Sequence, residues 1–495
     1  MLNFTYLDWL IILVYIFLII STGYYAKRFV GKISDFLIAD RSMGFHLGLV
    51  SLMSSEIGII TYMYLAEAGY TNGFVALMIG VPFFIVFLFL GKTGFIIQPL
   101  LDMKIMTIPE LFQKKFGKGV RFYAAFLMAI GGIINFGVFP GVEARFINTI
   151  TGIPQDYLLL TMVILLTIVL IYTAVGGMVS VIVTNYIQFI LLSFGMVFIT
   201  VFGVLKIGWS NIVQTVQVNF NTQGFNPFSE GGNFGWSFIL WQLLFQLAVL
   251  TIAPYITLRL FSSKDSKTGR RIFTWSSIMF LARAVIPIFW GILALAYLSQ
   301  KADDPLQALP LMILNLTPKG ILGLIFAAFL AASMSTYASY LLAWSSVISQ
   351  DLLDVALRQI TKKDISNRTQ LIISRCTMTG VILFIIWWSF YYKAEGLLYF
   401  YLMLAVNLFL AGTLVSAIFG IYVTDQKFGL VKARSLGSYL AFTFGAFPTI
   451  WYFFPDHPPA SQLGMWGFIL AFVGMIIGSV FQNLFYPVKL EESQL

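Results

Sequence analysis

The chain has 495 residues, 59% of them hydrophobic and 10% charged, with a formal net charge of +9. Soluble globular proteins carry about 25% charged residues, so this composition excludes one and describes a polytopic membrane protein. The positive charge does not point to nucleic acid, because the bases fall in short clusters between apolar segments, the pattern of cytoplasmic loops.

Hydropathy and breaker residues predict about thirteen membrane spans. The first, near 8–25, has no basic stretch before it and no convincing cleavage site, so it is read as a retained helix rather than a signal peptide. The second runs from Gly44 to Tyr70 and places Ser54, Ser55, Glu56 and Gly58 at the predicted bilayer centre. An acid at that depth is costly and is a functional candidate, although protonation or a buried base could keep it there for structural reasons alone. The small polar residues around it predict an unwound stretch, whose free carbonyls are the ion ligands of broken transporter helices.

Spans near 73–99, 120–148, 156–174 and 178–206 follow. Before the fourth, Thr107 is placed to cap a short helix with Pro109 in its first turn. Gly176-Gly177 predicts a tight turn, with Asn185 about a third of the way into the next helix. The span near 234–261 contains Gln242, Gln246 and Pro254 and is expected to be bent and partly polar inside. Glu143 and Arg283, on or near spans, read as ion-pairing or snorkelling groups ahead of the alternative, a role in transport.

The stretch from Gly323 to Leu353, which overlaps the span near 320–350, is apolar enough to cross a bilayer yet carries hydroxyls at Ser333, Ser335, Thr336, Ser339, Ser345 and Ser346. Ala332, Ser335, Thr336 and Ser339 share one helical face, which could offer oxygen ligands to a small hard cation. The same residues also suit close helix packing and cross-helix hydrogen bonds. Spans near 370–391, 395–424, 432–453 and 463–486 complete the set.

Bases assign the sides. Lys27, Arg28 and Lys32; Lys104, Lys114, Lys115, Lys118 and Arg121; Lys264, Lys267, Arg270 and Arg271; Arg358, Lys362, Lys363 and Arg368; and Lys427, Lys432 and Arg434 all fall on one side of a thirteen-span chain. That puts the amino terminus outside and the carboxyl terminus in the cytoplasm, in a multi-pass plasma-membrane protein. An enzyme is not expected. The single cysteine, Cys376, excludes an internal disulfide, two histidines cannot build a Cys/His metal site, and no nucleophile–base pair lies at membrane depth.

The segments TIPE with a following KFG, GGMVSVIVTNYIQ and above all FLAASMSTYASYLLAWSSVISQDL resemble the signatures of the sodium/solute symporter family, the last nearest to its sodium/proline branch. The resemblance implies an all-α, leucine-transporter-like fold with inverted five-helix repeats at about 45–206 and 234–424. One helix would precede this core of 43–424, within 1–42, and two would follow it, within 425–495. It implies one sodium ion held by the carbonyls of Ser54, Ile57 and Ala332 and the hydroxyls of Ser335 and Thr336. A second sodium is not expected, because the aspartate that some members use is Asn185 here and a matching hydroxyl position is Ala338. The arginine that the sialic-acid branch carries in the third core helix is replaced by Asn135.

Glu56 stands where the proline branch has an aspartate. It favours an amine-bearing solute such as an amino acid, with Tyr62, Asn135, Phe136, Gln242 and Gln246 as further substrate-site candidates. The expected activity is sodium-coupled import by alternating access in a lipid bilayer, with no nucleic acid and no obligate protein partner. The alternatives are a proton-coupled carrier using Glu56, a sugar or carboxylate symporter, and a solute sensor without transport.

Overall fold

The computed structural model describes residues 4–228, 234–298, 302–318, 321–362, 364–391 and 397–486. Lys363 and the side chain of Lys427 lie outside the described residues. The first helix, α1 (Tyr6–Ala26), starts in a capping box between Thr5 and Asp8. The second span is two short helices, α2 (Phe45–Ser55) and α3 (Ile59–Asn72), separated at Glu56-Ile57-Gly58. There follow α4 (Gly80–Thr93), the short α5 (Ile108–Phe116), then α6 (Lys118–Gly137) and α7 (Phe139–Thr151) as one crossing.

The next helix, α8 (Leu158–Ile207), contains 50 residues. Unbroken, it would be about 75 Å long, against a hydrocarbon core of about 30 Å. Gly177, at φ 51° and ψ −144°, divides it into two spans. Glycine is required there twice over, since a Cβ would sit in the left-handed region and 2.5 Å from the Phe36 carbonyl oxygen.

α9 (Trp236–Ile252) and α10 (Pro254–Ser262) meet at Ala253 with a 47° bend, as the proline predicts. The chain continues through α11 (Ser266–Tyr297), α12 (Leu322–Ser346), which runs on into a π-helical segment at Val347–Leu353, α13 (Asn367–Tyr391), α14 (Leu398–Tyr422), α15 (Ser435–Tyr452) and α16 (Ala460–Phe485). Among the described residues, nine stretches are long and apolar enough to cross a membrane, or ten with the bent pair. Two of them, 59–93 and 155–207, hold two spans each, and α15 completes the thirteen expected.

α12 is the axis of the bundle, with every residue but Leu324 buried. It packs against α1, α2, α8, α10 and α13. α1 and α13, by contrast, turn Leu10, Leu13, Phe17, Leu383 and Trp387 outward, where lipid would cover them. Asp8 Oδ1 accepts the Gly323 N–H at 2.6 Å and so pins α1 to the start of α12.

The loops carrying the basic clusters gather at one end. Arg41 donates to the carbonyls of Phe261 at 3.1 Å and Ile105 at 2.9 Å, and the Lys264 N–H donates to Met43 at 3.1 Å. Arg121 pairs with Asp351 at 2.6 Å. Thr107 does stand at the N-cap of α5, but its hydroxyl accepts no N–H from its own helix and instead donates to Asp351 at 2.9 Å. The buried Asp351 carboxylate orients the hydroxyl, since a donor bonds a charged acceptor more strongly than a neutral one.

Candidate ion and solute site

The break in the second span lies against the hydroxyl face of α12. Ser335 Oγ is 2.6 Å from the Ser54 carbonyl and 2.8 Å from the Ala332 carbonyl, so three expected ligand oxygens form one cluster. Thr336 Oγ1 is buried without a hydrogen-bond partner. It faces the break closely enough that a Cβ on Gly58 would lie 2.9 Å from it. Ile57 is fully buried in the same break. Neutral oxygens of this kind suit a hard monovalent ion that must also leave, whereas a transition metal would call for imidazole or thiolate. Among the described residues no three His, Cys, Asp or Glu side chains gather.

Long-range contacts hold the break open. Glu143 Oε1 accepts the Ile60 N–H at 3.1 Å, at the amino end of α3, and its other oxygen accepts the Ser333 hydroxyl. A carboxylate at a helix amino terminus meets both the free N–H groups and the favourable end of the helix dipole. Glu143 therefore neither pairs with a base nor snorkels; it fastens α3 to α12. Asn185 Nδ2 lies 3.3 Å from both the carbonyl and the hydroxyl oxygen of Ser51, and Tyr172 donates to the Met334 carbonyl at 2.7 Å.

Beside the break is a cavity of about 50 Å³ lined by Glu56, Asn135, Gln246, Arg283, Thr336 and Tyr340, among others. Arg283 donates from Nε to the Glu56 backbone carbonyl at 2.5 Å and lies over the rings of Phe83 and Phe280. Like Glu143, it does not snorkel. Tyr255 and Tyr340 stack with centroids 4.2 Å apart and form an aromatic wall.

Of the substrate-site candidates, Glu56, Asn135 and Gln246 line this cavity and three do not. Tyr62 packs on Trp290 and Phe329. Phe136 packs against Phe139, Tyr337 and Tyr340. Gln242 stands one turn before Gln246 and accepts its amide N–H at 3.1 Å.

Sequence reasoning passed over Arg259, which is 1% exposed. It follows the bend at Ala253, donates to the Tyr255 carbonyl at 2.7 Å and hydrogen-bonds to the Ser339 hydroxyl. Its signal was a charge shortly after Pro254 within a membrane span.

The sodium:solute symporter family model matches residues 36–427. The sodium/proline symporter 2 of Staphylococcus saprophyticus is 23% identical over 77% of this chain and 75% of its own length. A protein of Drosophila melanogaster named for sodium-dependent multivitamin transport is 23% identical over 74% of this chain, and the match spans 62% of that relative, less than two thirds. The sodium/glucose cotransporter 1 of Ovis aries is 23% identical over 72% of this chain and 59% of its own length. Among solved structures, a substrate-bound, outward-open Na⁺-coupled sialic acid symporter superposes with a TM-score of 0.81 at 20% identity, covering 98% of this chain and 99% of that one. A nucleobase-cation-symport-1 family transporter, closed around bromovinylhydantoin, superposes with a TM-score of 0.59 at 15% identity, covering 92% and 96%. The fold is the leucine-transporter-like one, and these relatives are transporters rather than enzymes.

Proposed function

The chain belongs to the sodium:solute symporter family, and on that premise we propose that it is a sodium-coupled symporter that imports a small amine-bearing solute by alternating access. The observation that carries this reading is the cluster of Ser54 O, Ala332 O and Ser335 Oγ, with the unpartnered Thr336 hydroxyl beside it. One sodium would exchange those hydrogen bonds for ion–oxygen contacts with these groups and the Ile57 carbonyl, fastening α2 and α3 to α12. Solute would bind in the cavity at Glu56, which shares Thr336 as a lining residue with the ion cluster. A shared wall gives the coupling a physical route: whatever sodium adds to solute affinity, solute must add to sodium affinity.

The repeats are assigned to about 45–206 and 234–424, with the basic loops in the cytoplasm and the amino terminus outside. The test is uptake into proteoliposomes. An inward sodium gradient should concentrate solute, while potassium in its place should give only slow equilibration. A second reading, proton coupling through Glu56, draws on its buried and unpartnered Oε1. Uptake driven by a pH gradient without sodium would favour it.

A further inference from the structure

The symport reading specifies an amine on the solute but not its other groups; the charges of the cavity narrow these, in an inference that rests on that reading. Glu56 and Arg283 are each 5% exposed and line the same cavity. Glu56 Oε1 and Arg283 Nη1 are both buried without a hydrogen-bond partner. The two residues already touch, but through the Glu56 backbone carbonyl, which accepts Arg283 Nε at 2.5 Å. Their charged ends do not form an ion pair within 4.0 Å, in contrast to Arg121 and Asp351 at 2.6 Å. Arg283 cannot readily swing to close that gap. Phe83 and Phe280 lie 5.2 and 5.4 Å from its guanidinium carbon, and its Nη2 reaches the Tyr64 hydroxyl at 3.5 Å.

A buried acid and a buried base sharing a cavity would ordinarily satisfy one another, because an unpaired buried charge is costly. Here the fold keeps them apart and leaves one acceptor and one donor without partners on two residues that line the same small space. We propose that the solute is a zwitterion, an amino acid, whose carboxylate is received by Arg283 and whose ammonium is received by Glu56. An amine alone would leave Arg283 Nη1 unsatisfied. A carboxylate alone would face Glu56 as a like charge. A sugar would bring no charge to either group. The amides of Asn135 and Gln246 add neutral hydrogen-bonding capacity, and the stacked Tyr255 and Tyr340 offer ring faces to the ammonium.

The experiment is the melting temperature of the purified full chain in sodium chloride and in potassium chloride. The probes are the twenty amino acids and, for each one that stabilises, its methyl ester, its decarboxylated amine and its deaminated acid. At least one amino acid should stabilise in sodium, with its ester, amine and acid about a hundredfold weaker, since each leaves a buried group unpaired. Arg283→Gln should weaken the amino acid about a hundredfold and the amine by less than about threefold, with Arg283→Lys intermediate. Should the glutamine variant not fold, the comparison of ester with amino acid on the unaltered chain decides alone. The proposal is overturned if no amino acid binds in either salt, or if the amine, ester or acid binds within about threefold of the amino acid. If both ends are required but binding is equal in potassium, the zwitterion assignment stands and sodium coupling is what falls.

Discussion

Two helices of the bundle are broken against α12, and the breaks are closed in opposite ways. Just beyond the second break, within α10, a resident cation fastens the chain to α12, with Arg259 bound to the Tyr255 carbonyl of its own helix at 2.7 Å and to the Ser339 hydroxyl of α12. Between α2 and α3 the carbonyl of Ser54 accepts the Ser335 hydroxyl, which is also shared with Ala332, while the Thr336 hydroxyl has no partner among the described residues. One turn of α12 joins the two breaks, because the Ser339 hydroxyl donates to the Ser335 carbonyl at 2.6 Å. A covalently attached charge makes the fastening of α10 to α12 permanent. A break lined by neutral oxygens can be tightened by an ion that comes and goes, which is the property a coupling site needs.

This contrast can be broken at either end. The largest effect is expected from Arg259→Ala, which removes two hydrogen bonds to a buried charge and should cost about 3 kcal/mol or more. Its melting temperature should fall by several degrees in both salts, while the further rise on adding sodium persists. Ser335→Ala and Thr336→Ala should do the reverse. Each should weaken sodium about tenfold, measured by thermal titration, with little change in potassium. Gly58→Ala sharpens the comparison, because the backbone there, at φ −116°, accepts alanine and only the contact with Thr336 changes. A loss of sodium affinity of about threefold, smaller than for Thr336→Ala, is expected.

The smallest effect belongs to a surface pair remote from both breaks. Lys32, hydrogen-bonded to Asp40 at 3.0 Å, holds that carboxyl below the usual carboxylate range, helped by Ser34. A lowered acid contributes stability above its unfolded pKa and loses it as pH falls through the lowered one. Both partners are exposed, so Lys32→Gln should leave the melting curve from neutral pH down to about pH 3 almost unchanged.

The first break was legible in the sequence because Gly58 and a run of small polar residues stand where an apolar helix should continue, and the bend at Ala253 because proline cannot donate to the preceding turn. Side-chain direction beyond a break was not legible. Unwinding at residues 56–58 resets the helical phase, so Tyr62 turns toward Trp290 and Phe329 and away from the cavity. Asn135 and Phe136 are neighbours on one helix, about 100° apart, and here that turn sends Phe136 into packing with Phe139, Tyr337 and Tyr340. Glu143 and Arg283 were recognisable as charges in spans, but their partners lie 83 and 227 positions away. Only the packed bundle reveals that both hold the same break.

The most direct test of the account is a sodium titration of the melting temperature at constant ionic strength, potassium making up the balance, for the unaltered chain, the Ser335→Ala/Thr336→Ala double variant and Arg259→Ala. Sodium held at the break between α2 and α3 should give a rise in the unaltered chain, the same rise from a lower baseline in Arg259→Ala, and a flat response in the double variant. A double variant that rises with the unaltered midpoint would contradict it, since sodium would then be held somewhere other than the break between α2 and α3.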